Sequence, residues 1–161
     1  MAARSSLMAV VLILSTLGIA QSAQVTAKPL TEKEIQLLRQ DVQSVKDEVI
    51  KQAMQFTPRE SAVFWPVYQE YAKAQHVIAD KRLALITEYA QKLESMDDVT
   101  AANLTRRLFQ IEDDAQALRK SYYPKIEKVL GAKRAAKFCQ VDNRLSQLIN
   151  LQLASEIPLI P

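Results

Sequence analysis

The chain has 161 residues and a mass of 18.1 kDa, enough for one domain with a sizeable core. Two glycines and six prolines are too few turn formers for a β sandwich or barrel, and with no clustered glycines a P-loop or a dinucleotide-binding turn is excluded. One histidine and one cysteine exclude a typical His/Cys zinc site within a single chain, and a formal net charge of +3 is too mild for a nucleic-acid binder.

The N-terminus reads as a targeting segment. A short polar start, Met1 to Ser6, carries Arg4, and Leu7 to Ala20 is a nearly unbroken apolar run. That run is shorter than the ~20 residues a bilayer-spanning helix needs but suits a signal-peptide core. Small residues follow at Ala20, Ser22, Ala23 and Ala27. The expectation is a cleaved signal peptide over about residues 1–23 and a single all-helical domain over 24–161, with membrane contact only through the signal segment. Cys139, the only thiol, cannot form an internal disulfide. It reads as a small buried hydrophobe, or as one half of an intermolecular bridge.

Four helical segments follow in chain order. Leu30-Thr31-Glu32-Lys33-Glu34 is a capping box: the Thr31 hydroxyl caps the first turn and Glu34 closes back on the cap amide. Ile35, Leu38, Val42, Val45, Val49 and Phe56 then form a stripe at helical spacing, read as the buried face. A second box opens the next segment, with Thr57 as cap, Pro58 at the first helical position and Glu60 closing it. Its stripe runs through Phe64, Val67, Tyr71, Ala74, Ile78, Leu85, Tyr89 and Leu93, with Pro66 inside. Ser95-Met96-Asp97-Asp98 is a turn and a new cap. The third segment carries Ala101, Leu104, Leu108, Ile111, Ala115, Leu118, Tyr122, Ile126 and Val129, with Pro124 inside. Each internal proline predicts a kink, and Pro124 a kink or break. Gly131 is the natural stop, through a left-handed conformation. The fourth segment, about 132–154, has Ala135, Phe138, Leu145, Leu148 and Ile149 as its apolar side. The expected fold is all-α: an elongated antiparallel four-helix arrangement with a kinked hairpin, shaped as a cradle.

Candidate sites are few. The residue three before His76 is Lys73, so the Glu-x-x-His pair of a di-iron bundle is missing, and no haem-attachment motif occurs. Glu112, Asp113 and Asp114 point in different directions on a helix and read as a solvated face. No catalytic set can be assembled, so no enzyme, cofactor or metal is expected. A basic cluster is more informative: Arg119, Lys120, Lys125, Lys128, Lys133, Arg134 and Lys137 are opposed within 119–137 by Glu127 alone. It reads either as a solvated helix end or as a face for acidic partners. Phe64-Trp65-Pro66-Val67-Tyr68 is the densest aromatic patch, and not all of it fits one core stripe, which leaves Trp65 or Tyr68 partly exposed.

The two helix starts resemble the Leu-Thr-x-x-Gln motif of the Spy/CpxP-type periplasmic proteins. Leu30-Thr31-x-x-Glu34 keeps Leu and Thr, Phe56-Thr57-x-x-Glu60 keeps Thr, and both carry Glu for Gln, which preserves the capping chemistry. The stretches Phe64-Trp65-Pro66-Val67-Tyr68 and Leu85-Ile86-Thr87-Glu88-Tyr89-Ala90 are similar to uncharacterised exported bacterial proteins. The boxes open consecutive helices here, whereas the family places them on the first and third. The resemblance implies an ATP-independent chaperone or envelope-stress protein of the Gram-negative periplasm that holds unfolded exported proteins, often as a homodimer. Trp65, Tyr68, Lys125, Lys128, Lys133 and Arg134 are the expected client-binding residues, and Thr31, Glu34, Thr57 and Glu60 the capping ones. The alternative is a structural or adaptor protein of the envelope with one specific partner. A small-ligand bundle would need an enclosed pocket.

Overall fold

The computed structural model describes residues 32–160. The signal segment, Thr31 and the Glu34 side chain lie outside the described residues. Residues Leu37–Pro161 group into one compact unit, which holds the sites described below. Among the described residues there are four α-helices and no strand: α1 (Glu32–Met54), α2 (Pro58–Lys92), α3 (Asp98–Leu130) and α4 (Ala132–Glu156). The all-α reading therefore holds.

The caps explain where the helices start. At α2, the Glu60 amide donates to the Thr57 hydroxyl at 3.2 Å, and the Thr57 amide donates to Glu60 Oε2 at 2.9 Å. Both halves of the box are made, and Pro58 sits where its missing N–H costs nothing. At α3, Asp97 accepts from the Thr100 amide at 2.7 Å. A short 3-10 turn, Leu93–Ser95, separates α2 from α3. Gly131 ends α3 and begins α4 with φ 78° and ψ 157°. This differs from the left-handed cap expected there: φ is positive but ψ is extended, a region open to glycine almost alone. Gln55, between α1 and α2, has φ 48° without being glycine.

Of the kink or break expected at Pro124, the break does not occur: α3 continues through Pro124, as α2 does through Pro66. Each proline removes one hydrogen bond to the carbonyl four residues earlier. Pro66 and Ala62 are both exposed, as are Pro124 and Lys120, so the freed carbonyls lie on the solvent side of their helices.

The main core is aromatic. Phe64, Tyr68, Tyr71 and Ala72 of α2 pack with Ile126 of α3, Ala135 and Phe138 of α4, and Ile50 and Met54 of α1. The Phe64 ring lies 4.5 Å from Phe56, 5.5 Å from Tyr68 and 5.2 Å from Phe138. A smaller cluster of Leu85, Leu104 and Ile111 joins α2 and α3 further along. The first helix corrects the sequence reading. Val42, Val45 and Val49, read as its buried face, are 49%, 54% and 37% exposed, while Ile50 and Met54 are fully buried. The helix turns a neighbouring face inward, and Gln43 and Lys46 on that face donate to the Tyr68 hydroxyl and to Gln75.

Candidate functional site

Inside the core, α4 is held by a buried carboxylate. Asp142 is 1% exposed. Its Oδ2 accepts from the Tyr71 hydroxyl at 2.8 Å and faces Arg119 Nε at 3.4 Å. Oδ1 has no hydrogen-bond partner among the described residues. Burial pushes the Tyr71 hydroxyl well above its usual titration range, and the Asp142 charge adds to this. Burial also lowers Lys46, while Asp142 and then Asp47 partly oppose the shift. Tyr71 of α2 and Arg119 of α3 thus face the buried Asp142 carboxylate of α4, and Lys46 of α1 lies within its field. A buried charge is tolerated only when paired, so the arrangement ties α4 to α2 and α3.

A second tie lies at the start of α4. Arg134 Nη2 donates to Glu60 Oε2 at 3.1 Å, its Nε lies 2.9 Å from Oε1, and the guanidinium sits 5.5 Å from the Phe56 ring centre. The Glu60 carboxylate that closes the capping box also receives Arg134. The Thr57 backbone N–H holds Glu60 below its ordinary carboxylate range, with Arg134 contributing less.

These contacts redistribute the residues expected to bind clients. Tyr68 is buried at 1% exposure, a correction: its ring fills the core between Phe64, Trp65, Tyr71 and Phe138. Arg134 is likewise committed to Glu60, a fold contact rather than a free cation. Lys125 lies 3.8 Å from Glu70 and 4.0 Å from the Tyr122 ring centre. Lys128 and Lys133 are exposed. Trp65 is half-buried: it packs edge-on against Phe64 and Tyr68, and it lines an open hollow of about 480 Å³ with Pro58, Ser61, Ala62, Pro66 and Gln69. Cys139 is half-buried against the core, where burial raises its thiol and keeps it from the reactive thiolate form. Asp114, read as solvated, is held by Lys81 at 2.7 Å and Gln110 at 2.9 Å.

What the structure adds is the outer side of α4. Its inward side carries Ala135, Phe138 and Asp142, all buried, with Leu145 partly buried. At 100° per residue, Lys133, Lys137, Gln140, Arg144, Leu148 and Leu151 fall on the opposite side in one stripe, and all six are exposed. The stripe is about 27 Å long, basic over its first half and apolar over its second. Leu148 and Leu151 are 63% and 68% exposed, and Ile149 and Leu153, on the other side of the helix, are 37% and 38% exposed. Leu148 and Ile149 were expected on the packed side; Leu148 turns outward, a correction, whereas Ile149 keeps to the side of Phe138 and Asp142 and is 37% exposed there. Beyond the helix, the Tyr89 hydroxyl donates to the Pro158 carbonyl at 2.6 Å and fastens the tail to α2. Lys137 was already part of the basic cluster; Arg144 was not singled out from the sequence, although its spacing to Lys137, Leu148 and Leu151 is written in it.

Among the described residues no cluster of His, Cys, Asp and Glu is arranged to hold a metal ion, and no helix is long and apolar enough to cross a membrane. No family model, curated protein or solved structure matches the chain.

Proposed function

We propose that the chain is an exported, ATP-independent holdase of the Spy/CpxP type, acting on unfolded proteins in the periplasm. The observation that carries this reading is the outer stripe of α4. Leu148 and Leu151 present large apolar side chains to water on a helix whose other side is anchored through Asp142. Contiguous exposed apolar surface of this kind marks an interaction site. An unfolded chain exposes apolar segments at irregular spacing. A firm, sequence-indifferent apolar strip shields them at about 25 cal/mol per Å² buried. Such binding is reversible because each contact is small.

Lys133, Lys137 and Arg144 continue the same stripe and attract acidic stretches of client. Exposed charges act over about 8 Å at physiological ionic strength, so this part fades as salt rises. The proposal assigns the chain no catalytic step and no cofactor. Its test is suppression of light scattering by two unrelated denatured clients, without ATP. Protection of both at near-stoichiometric ratios is expected. Protection of neither overturns the reading, and tight binding of a single native partner favours an envelope adaptor.

A further inference from the structure

The outer stripe of α4 carries charge as well as apolar surface, and its charge is of one sign. Lys133, Lys137 and Arg144 share the stripe with Leu148 and Leu151, and all five are exposed. Between Ala132 and Ser155 the sequence holds a single acid, Asp142. That carboxylate is 1% exposed and accepts from Tyr71 on the packed side of the helix. Arg134 is held by Glu60. Burial of the one acid therefore leaves the three outward cations unopposed on their own helix, and none of them is ion-paired among the described residues. Gln140, Asn143 and Gln147, exposed on and beside the stripe, are neutral. Beyond the helix, the tail that Tyr89 fastens at Pro158 adds Leu159 and Ile160, 90% and 52% exposed, at the apolar end of α4.

This pairing of unopposed cations with exposed leucines chooses the occupant. A purely acidic chain would match Lys133, Lys137 and Arg144 but leave Leu148 and Leu151 in water. An anionic bilayer matches both: its phosphates take the cations, and the interfacial layer just beneath them takes the leucines. The stripe is straight over about 27 Å and lies on the convex outer side of a helix, which suits a planar partner. The long stems of the two lysines and the arginine let their charges stay at the phosphate level while the leucines insert. We infer that α4 lies flat on an anionic lipid bilayer, with Lys133, Lys137 and Arg144 on the headgroup phosphates and Leu148 and Leu151 in the interface below them. This adds a second membrane contact to the one expected of the signal segment. It shares the stripe with the holdase reading but does not rest on it, because lipid binding is read without any client.

The test is flotation of protein recovered from cells expressing the full sequence. The vesicles are phosphatidylcholine with one-quarter phosphatidylglycerol, or phosphatidylcholine alone. Binding to the anionic vesicles that weakens at high salt is expected, with binding to the neutral ones at least about tenfold weaker. Lys133→Gln/Lys137→Gln/Arg144→Gln should weaken anionic-vesicle binding by about 100-fold, at about fivefold per charge. Leu148→Ser/Leu151→Ser should weaken it at least about tenfold while circular dichroism shows the parent's helix content. If the triple variant fails to fold, Lys137→Gln and Arg144→Gln decide singly, at about fivefold each. No flotation of the parent, equal binding to both kinds of vesicle, or binding that neither set of variants lowers overturns the inference. Capture of a polyglutamate peptide without binding of the vesicles also overturns it and gives the cations to an acidic chain. Vesicle binding by a protein that protects no denatured client supports the membrane surface and overturns the holdase reading alone, and client protection without vesicle binding does the reverse.

Discussion

Tyr71→Phe isolates the contact that holds α4 in place. Tyr71 is 2% exposed, and its hydroxyl donates at 2.8 Å to Asp142, itself 1% exposed. The substitution removes one oxygen and leaves the ring packed against Tyr68, Tyr122 and Phe138. Arg119 at 3.4 Å then remains as the only hydrogen-bonding partner of Asp142 among the described residues. A hydrogen bond to a charged group contributes about 1.5–3 kcal/mol net, and the poor distance of the remaining contact gives little compensation, so the expected loss is about 2 kcal/mol. For a domain of this size the melting temperature should fall by roughly 6–10 °C. Urea denaturation followed by far-UV circular dichroism should show a lower midpoint with an unchanged slope. A second arm sharpens the test. Asp142→Leu alone leaves the Tyr71 hydroxyl buried without its acceptor, whereas Tyr71→Phe with Asp142→Leu removes both ends of the bond. The double variant should therefore lose at least about 1 kcal/mol less than the sum of the singles. A change below about 0.5 kcal/mol for Tyr71→Phe would show that Asp142 does not depend on the phenol.

Other outcomes follow from the same contacts. Thr57→Ala should cost about 1 kcal/mol in denaturant unfolding by opening the α2 capping box. Gly131→Ala should cost about 1–3 kcal/mol although no atom lies within 4 Å of the added carbon, because φ 78° with ψ 157° is strained for any side chain. Glu60, Glu88, Asp97 and Asp114 are all held below their ordinary values, Glu60 by the Thr57 backbone N–H, Glu88 by Lys92 and Arg107, Asp97 by Thr100, and Asp114 by Lys81. Each unfolded-state value lies above the folded one. Stability from these groups is therefore complete above the ordinary carboxylate range and is lost as pH falls through the lowered values. A melting temperature that holds steady from neutral pH to near the carboxylate range and then declines is the expected profile, and a rise on acidification would contradict it.

Much of this fold is legible in the sequence. Thr57-Pro58-x-Glu60 and Asp97 mark the starts of α2 and α3, and the spacing of Phe64, Tyr71, Leu104, Ile111 and Ile126 places them on packed faces. Periodicity reports that a helix has an apolar face, but it does not say what covers that face. For this reason Val42, Val45 and Val49 read as core although they are exposed, and Leu148 reads like Phe138 although the two point apart. Asp142 was illegible for a different reason. In Val141-Asp142-Asn143-Arg144 it reads as surface, and the hydroxyl that receives it lies on Tyr71, in another helix. Of Trp65 and Tyr68, one of which was read as partly exposed, Trp65 takes the half-exposed position and Tyr68 fills the core. Of the kink or break read at Pro124 the break does not occur, and the solvent exposure of Pro66 and Pro124 lets water take the freed carbonyls.

The outer stripe of α4 is the surface proposed to hold clients. The most direct measurement compares the parent with Leu148→Asp/Leu151→Asp in suppressing aggregation of two unrelated denatured proteins, with circular dichroism confirming that both are equally helical. Both substituted positions are well exposed, so the fold should persist while protection of both clients falls at least about tenfold in effective concentration. Equal protection by the folded variant and the parent would contradict the assignment of α4 as the holding surface.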